Sequence, residues 1–398
     1  MKFLRRIPFL PVAVSVLGLL SSVLCRSADL PAEAGAKSVF TPLPDGLYAD
    51  FTTPHGTVTV ELFANKVPLT VANFVGLAEG TLGPTPPAPY YAGLKWYRVV
   101  PGFVIQSGDP SNPGGGIQSR PPETKTSSPG YTFTDEFVPG LRHGEAGILS
   151  MANGGPDTNS AEFFITLGDD TRLNYLHSVF GRTVRGLDVL PQIKPDEAFT
   201  VKILRIGVAA QAFKADEATF KALMAKGVKY TGEPEPGPAA HFDDPAKVLP
   251  QDVPRAKNFN YKLNNLQRAI GLKVYARVYP TFSPEDVTQT PMAFTQNLAG
   301  SLGIYQNGAL AVYFADQDRW FLWVGDDLAP AFNPEKNRLT NVKNTLFETV
   351  KTKAAGYTEQ ARQLRGPDHP LTPADLAKFS VDAMLDLLIF QLEPKTKH

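Results

Sequence analysis

The chain has 398 residues and carries 39 lysines plus arginines against 39 aspartates plus glutamates, with no basic block, which argues against a nucleic acid as its main partner. Its length exceeds one ordinary core, so two domains with connecting sequence are expected, and 43% hydrophobic residues is normal for a globular protein. The one cysteine, Cys25, lies in the N-terminal segment, so the mature chain offers no disulfide framework, thiol nucleophile or thiolate metal site.

Residues 1–28 read as a signal peptide: Lys2, Arg5 and Arg6 form a positive start, FLPVAVSVLGLLSSVL (9–24) is the apolar run, and cleavage is expected near Ser27 or Ala28. The run is shorter than the ~20 residues of a typical membrane span, so a periplasmic or secreted location is expected, with no integral span after removal. An uncleaved anchor or a lipid on Cys25 are the alternatives.

Residues 45–208 read as mostly β. YADFTTPHGTVTVELF (48–63) gives two strands around Pro54-His55-Gly56. VPLTVANFVGLAEG (67–80) gives a helix with Pro68 in its first turn and Gly80 at its end. TLGPTPPAPYYAG (81–93) is a loop, and strands are expected at 94–106, 147–151, 162–167, 178–184 and 200–208, with a short helix near 186–193. A helix over 209–227 and a linker with six prolines over 231–257 follow. A second domain, 258–398, alternates helix and strand: KVYARVYP (273–280), a helix around 287–302, strands at 309–315 and 319–324, and two closing helices started by Asn333-Pro334 and Thr372-Pro373.

Two features suggest chemistry. Arg98 sits inside the apolar run WYRVVPGFVIQSGDP (96–110), where a guanidinium must be paired, exposed or used. In GILSMANGGPDTNSAEFFITL (147–167), alternation puts Phe163, Ile165 and Leu167 on the core face and Glu162, Phe164 and Thr166 on the other. Phe164 then either packs under a loop or floors an apolar pocket. The six histidines show no ligand spacing, so no histidine metal site and no cofactor is expected.

RVVPGFVIQSGDP, PGYTFTDEF (129–137), GILSMANGGPDTNSAEFFI and LHSVFGRTV (176–184), in this order and spacing, resemble the cyclophilin family. The resemblance implies a closed eight-stranded antiparallel β-barrel capped by two helices, and cis–trans isomerisation of X-Pro bonds in unfolded, proline-containing polypeptides. It implies Arg98 as the catalytic residue, and Phe103, Val104, Gln106, Ala152, Asn153, Phe164, Leu173 and His177 as the lining of the proline pocket and adjoining groove. Three departures stand out: Arg172 where many members have tryptophan, Glu162 for a usual glutamine, and the longer stretch 111–128. A proline-peptide binder without turnover is the alternative these departures leave open.

NLAGSLGIYQNGALAVYFADQDRWFLWVGDDL (297–328) resembles the TPM (phosphatase-like) domain family, which implies a smaller α/β domain whose ligand stays unidentified. Asp316 and Asp318 are either turn residues or, with Asp326 or Asp327, ligands of a divalent cation. A metal-dependent phosphatase activity of this domain is the third functional alternative.

Overall fold

Alternating apolar residues fold residues 46–206 into an eight-stranded sheet. The computed structural model describes residues 42–83, 88–110, 129–233, 235–251, 255–284 and 287–394; the signal segment with Cys25 and the stretch 111–128 lie outside the described residues. β1 (Gly46–Thr53) and β2 (Gly56–Leu62) form the first hairpin, with Thr53 paired to Gly56 across its turn. α1 (Pro68–Glu79) starts on its proline. Its first amides are satisfied by Glu136, which accepts from Leu69 N at 3.3 Å and Thr70 N at 2.7 Å. Gly80 ends the helix at φ 76°, where a Cβ would stand 2.5 Å from the Ala88 carbonyl carbon, so a side chain there is excluded twice over.

β3 (Arg98–Val100) and β4 (Val104–Ser107) form a hairpin whose turn is Pro101-Gly102, the interruption within the stretch 94–106. β5 (Ile148–Met151), β6 (Phe163–Thr166), β7 (Val179–Arg185) and β8 (Thr200–Ile206) complete the sheet in the order β3-β4-β6-β5-β7-β2-β1-β8, every pair antiparallel. The expected helix near 186–193 is a single 3₁₀ turn, Leu190–Gln192.

The expected closed barrel is corrected: the sheet is an open half-barrel, because its end strands β3 and β8 do not pair with each other. β3 is three residues long and leaves little ladder to offer. Only the segment before it reaches across, through the Lys95–Ala198 bridge and the Trp96 N to Glu197 O bond of 3.0 Å. Trp96 stacks on Phe199 at that seam, centroids 4.4 Å apart, which keeps water from the inner face where the strands do not meet.

The helix expected over 209–227 is two, α2 (Val208–Ala212) and α3 (Glu217–Met224). Phe213 turns extended after α2, and Asp216 caps α3 by accepting from Thr219 N. Beyond them, β9 (Phe242–Asp243), within the expected linker, joins a second sheet. α4 (Arg255–Ile270), β10 (Lys273–Tyr279), α5 (Pro291–Ser301), β11 (Gly308–Phe314), β12 (Arg319–Val324), α6 (Ala329–Phe332), α7 (Leu339–Arg365) and α8 (Pro373–Leu392) follow.

This second sheet has the order β12-β11-β10-β9, with β10 parallel to β11 and β9, and β12 antiparallel to β11. Side chains of α4, α7 and α8 join one face of the sheet in one apolar cluster, and Phe294, Leu298 and Ala299 of α5 join the other. α7 begins at Leu339 rather than at Pro334, because Asn333 folds the intervening residues into a turn, bonding both the N–H and the carbonyl of Asn337. Thr372 and Asp375 form a capping box at the start of α8. Tyr175 of the first half is buried within the α4–α7–α8 cluster and Phe137 packs against it, so the two halves share apolar contact. Among the described residues no helix is long and apolar enough to cross a membrane.

Candidate active site

Strand register assembles the site. Arg98 on β3 stands opposite Gln106 on β4, Gln106 opposite Phe164 on β6, and Phe164 opposite Ser150 on β5. These four share the outer face of the sheet. The neighbouring row, Val99, Ile105, Ile165 and Leu149, points into the core, as the alternation of 162–167 requires. Phe163 is fully buried among core aromatics, whereas Phe164 lies outside that core and is still only 4% exposed. It is covered by two imidazoles: His177 meets it edge-on at 5.5 Å and His143 stacks at 5.7 Å. The outward phenylalanine is thus packed beneath His143 and His177 on the outer face of the sheet, next to Gln106.

The half-buried Arg98 donates from Nη1 to Gln106 Oε1 at 3.1 Å, and its guanidinium lies 5.4 Å from the Phe103 ring centroid. Gln106 is 6% exposed and donates from Nε2 to Glu162 Oε2 at 3.1 Å and to Tyr97 Oη at 2.9 Å. Tyr97 in turn donates to Glu162 at 2.6 Å. Glu162 thus reaches Arg98 through Gln106. A carboxylate accepts only and a guanidinium donates only, so the amide between them has one satisfying orientation, its oxygen toward Arg98. Burial and the neighbouring carboxylate raise the Tyr97 hydroxyl far above its ordinary value, which keeps it a donor. Burial also pulls Arg98 below the usual guanidinium value.

His177 donates from Nδ1 to the Met151 carbonyl at 3.0 Å, which leaves Nε2 as a bare acceptor. Burial, helped by the Arg98 charge, pushes it down to about 4, so the ring is neutral at pH 7. His143 is fully buried, bonded to Asn174 Oδ1 at 3.0 Å and Ser150 Oγ at 2.9 Å, and pushed down to about 3. It buttresses Phe164 from behind, a role its sequence context does not signal.

The remaining expected residues fall around this row. Val104 is buried two positions from Gln106 on the same face, Phe103 lies at the β3–β4 turn, and Leu173 closes the 3₁₀ turn Thr171–Leu173. Ala152 donates its N–H to the Glu162 carbonyl at 3.0 Å, which ties the following loop to β6. Asn153 donates to the Leu176 carbonyl at 2.9 Å and, more weakly, to Asp135 at 3.4 Å. Asp135 is a site-building residue the sequence reading passes over: it accepts from Asp157 N at 2.9 Å and Asn159 Nδ2 at 2.7 Å and so fixes the 153–159 loop. Its burial outweighs these bonds and pushes its carboxyl up to about 6. Arg172, at the rim, lies with its guanidinium 4.7 Å from the Phe103 ring centroid.

Residues 48–208 match the family model of the cyclophilin-type peptidyl-prolyl cis-trans isomerases. A probable peptidyl-prolyl cis-trans isomerase A of Mycobacterium leprae is 44% identical over 140 residues, covering 33% of this chain and 71% of the relative. The chain belongs to the cyclophilin family. A peptidyl-prolyl cis-trans isomerase-like 1 of Neurospora crassa is 39% identical over 166 residues, 40% of this chain and 92% of that one. A solved cyclophilin-type isomerase of Cryptosporidium parvum is 29% identical and covers 40% of this chain and 98% of its own, with a TM-score of 0.33. Peptidyl-prolyl cis-trans isomerisation is the activity these relatives carry and this cyclophilin shares; the family match ends at residue 208.

Asp316 and Asp318, the candidate cation ligands, lie in and just after the 3₁₀ turn Ala315–Gln317. Asp316 accepts from Thr281 Oγ1 at 2.7 Å and Asp318 from Tyr313 Oη at 2.7 Å. Asp318 adopts φ 45°, the left-handed conformation that aspartate tolerates in turns. Among the described residues no group of three or more His, Cys, Asp and Glu side chains is placed to hold a metal.

Proposed function

We propose that Arg98 is the catalytic residue of an exported isomerase that assists the folding of secreted or envelope proteins. Rotation of an X-Pro bond is opposed by amide resonance, with a barrier of ~18–20 kcal/mol. In the twisted state the prolyl nitrogen leaves conjugation and its lone pair accepts a hydrogen bond. Arg98 donates to it then and not in the planar ground state, which is stabilisation of the transition state alone. Such a charge-assisted bond is worth ~1.5–3 kcal/mol net, one to two decades of rate. Phe103, Val104, Phe164 and Leu173 grip the ring, while Gln106, Ala152, Asn153 and His177 orient the flanking backbone. No nucleophile, general base or metal enters this sequence of events.

The observation that carries this reading is the Arg98–Gln106–Glu162 chain of hydrogen bonds beside Phe164. It fixes a donor-only group at the wall of an apolar floor. Replacing Arg98 by lysine keeps the charge but gives up the fork that serves Gln106 and the substrate at once. Arg98→Lys should therefore lose most of the acceleration of a proline-peptide exchange measured by NMR while the peptide still binds; full acceleration in that variant contradicts the role.

Export by a cleaved signal rests on the charged start and apolar run of residues 1–28, and is tested by sequencing the N-terminus of the mature protein: a start near residue 28 supports it, and an intact Met1 overturns cleavage. The likeness of 297–328 to the TPM family supports reading residues 258–398 as a recruitment module for a ligand still to be identified.

A further inference from the structure

The C-terminal helices stand over the mouth of the site. Gln360 of α7 donates from Nε2 to the Gly102 carbonyl, at the β3–β4 turn, at 2.9 Å. Arg172 is held between the ring of Phe103 at 4.7 Å and that of Tyr357, on α7, at 5.6 Å. α4 runs past the other flank. Its Asn265 donates to the Tyr175 carbonyl at 2.8 Å, and its Arg268 reaches Asp157, beside the Asn153 loop, at 2.9 Å.

Between these contacts lies a cavity of about 450 Å³, within the range of small-ligand sites. Arg98, Phe103, Arg172 and Leu173 form its isomerase side. Phe259 and Lys262 from α4, Leu364 from α7, and Lys378 and Asp382 from α8 form the other.

The charges on these walls are arranged unevenly. Four cations, Arg98, Arg172, Lys262 and Lys378, line the cavity, with Asp382 as the lining carboxylate. Lys378 pairs with Asp382 along α8, Lys262 with Asp386 at 2.6 Å, and Arg172 with Asp170 at 3.3 Å. Asp170, Asp386 and Glu162 are not part of the lining, whereas Arg98, Arg172 and Lys378 are. Burial also pushes the Asp170 carboxyl up to about 7, which weakens its compensation of Arg172 near neutral pH. In a partly buried cleft such a field is poorly screened.

We infer that the C-terminal surface is the second wall of the isomerase groove, so that an extended X-Pro segment is taken between two walls and an acidic residue beside the proline is preferred. The inference rests on Arg98 marking the isomerase site. Phe259 and Leu364 add apolar contact facing Phe103, and Arg172 and Lys378 read the charge of the neighbouring residue. The chain is thereby selective where a one-walled groove reads little beyond the proline.

The test uses the full chain and three tetrapeptides that differ only in the residue before proline: alanine, glutamate or lysine. NMR exchange gives kcat/KM for each. The glutamate peptide should exceed the lysine peptide by roughly three- to ten-fold at low salt, with the ratio shrinking as salt is added. Leu364 is 45% exposed on the wall, so Leu364→Glu adds a carboxylate there without emptying a core position. The readout is the ratio, which should fall by roughly three-fold or more.

If the parent fails to turn over the alanine peptide, the reading of the site itself is wrong. If alanine is turned over but glutamate and lysine are equal and Leu364→Glu leaves the ratio unmoved, the second wall is refuted while the site stands. If Gln360→Ala instead speeds all three peptides equally, the helices act as a plug, and the inference is overturned in that way.

Discussion

Gln106→Leu removes the residue that holds Arg98 in place. The amide makes three bonds: it accepts from Arg98 at 3.1 Å and donates to Tyr97 at 2.9 Å and Glu162 at 3.1 Å. Leucine fills the space and makes none of them. Tyr97 and Glu162 keep their mutual 2.6 Å bond, so the carboxylate is left short by one donor, a cost of about 1–2 kcal/mol in stability. Arg98 loses the acceptor that holds it and regains its rotamer freedom. If the transition-state bond is worth ~1.5–3 kcal/mol, releasing the donor forfeits most of it, a ten- to hundred-fold fall in kcat/KM. NMR exchange of an X-Pro peptide measures the fall, and urea denaturation of the same variant measures the stability term. A variant that folds, loses 1–2 kcal/mol and isomerises at the parent rate would refute the claim that Gln106 aims Arg98.

Phe164→Ala should lower stability by about 3 kcal/mol in urea melts, because the ring is 4% exposed between two imidazoles, and should weaken peptide binding by removing the floor. The His177 imidazole should titrate near 4 rather than near 6.5 when followed by its ring proton resonances. Because its native value is depressed, the neutral ring stabilises the fold fully above about 6.5, and that contribution is lost as pH falls toward 4, at up to ~1.4 kcal/mol per pH unit. His177→Gln should flatten that part of the stability profile; an unchanged slope contradicts it. Arg268→Met removes a buried guanidinium that lies 2.9 Å from Asp157 and 3.5 Å from Asp135, and should cost ~3–5 kcal/mol. Asp135 already sits up at about 6, and its native form is the more protonated one, so its penalty grows as pH rises. The Arg268→Met deficit should accordingly be larger at pH 8 than at pH 6 in thermal melts, and an equal deficit at both counts against it.

The two-residue period of 162–167 was enough to assign faces, because a residue between core neighbours has only one other side to occupy. That is why Phe164 stood out in the sequence. The motifs placed Arg98, Gln106 and His177 near one another but not the bonds between them. Glu162 was visible as a departure from the family pattern; that it acts on Arg98 through Gln106 depends on side-chain reach. His143 and Asp135 support the site from buried positions, and nothing in local sequence marks a histidine or aspartate as buried.

The strand pattern also said nothing about closure, since whether β3 meets β8 is decided by a three-residue strand at the sheet's edge. The helix over 255–270 was missed because asparagines, lysines and arginines crowd its sequence. Its Lys262 and Asn265 are buried against the rest of the chain, and its Arg268 is part-buried and paired there, a tertiary fact that hydropathy counts as exposure.

The central claim is that Arg98 acts on the twisted prolyl bond. It is tested most directly by NMR exchange on one proline peptide with the mature parent and with Arg98→Ala, each at a peptide concentration that saturates binding. The account predicts fast exchange in the parent and a ten- to hundred-fold slower rate in the bound state of the variant, with peptide affinity within a few-fold of the parent. Equal bound-state rates in the two proteins would contradict it and place the acceleration in the pocket alone.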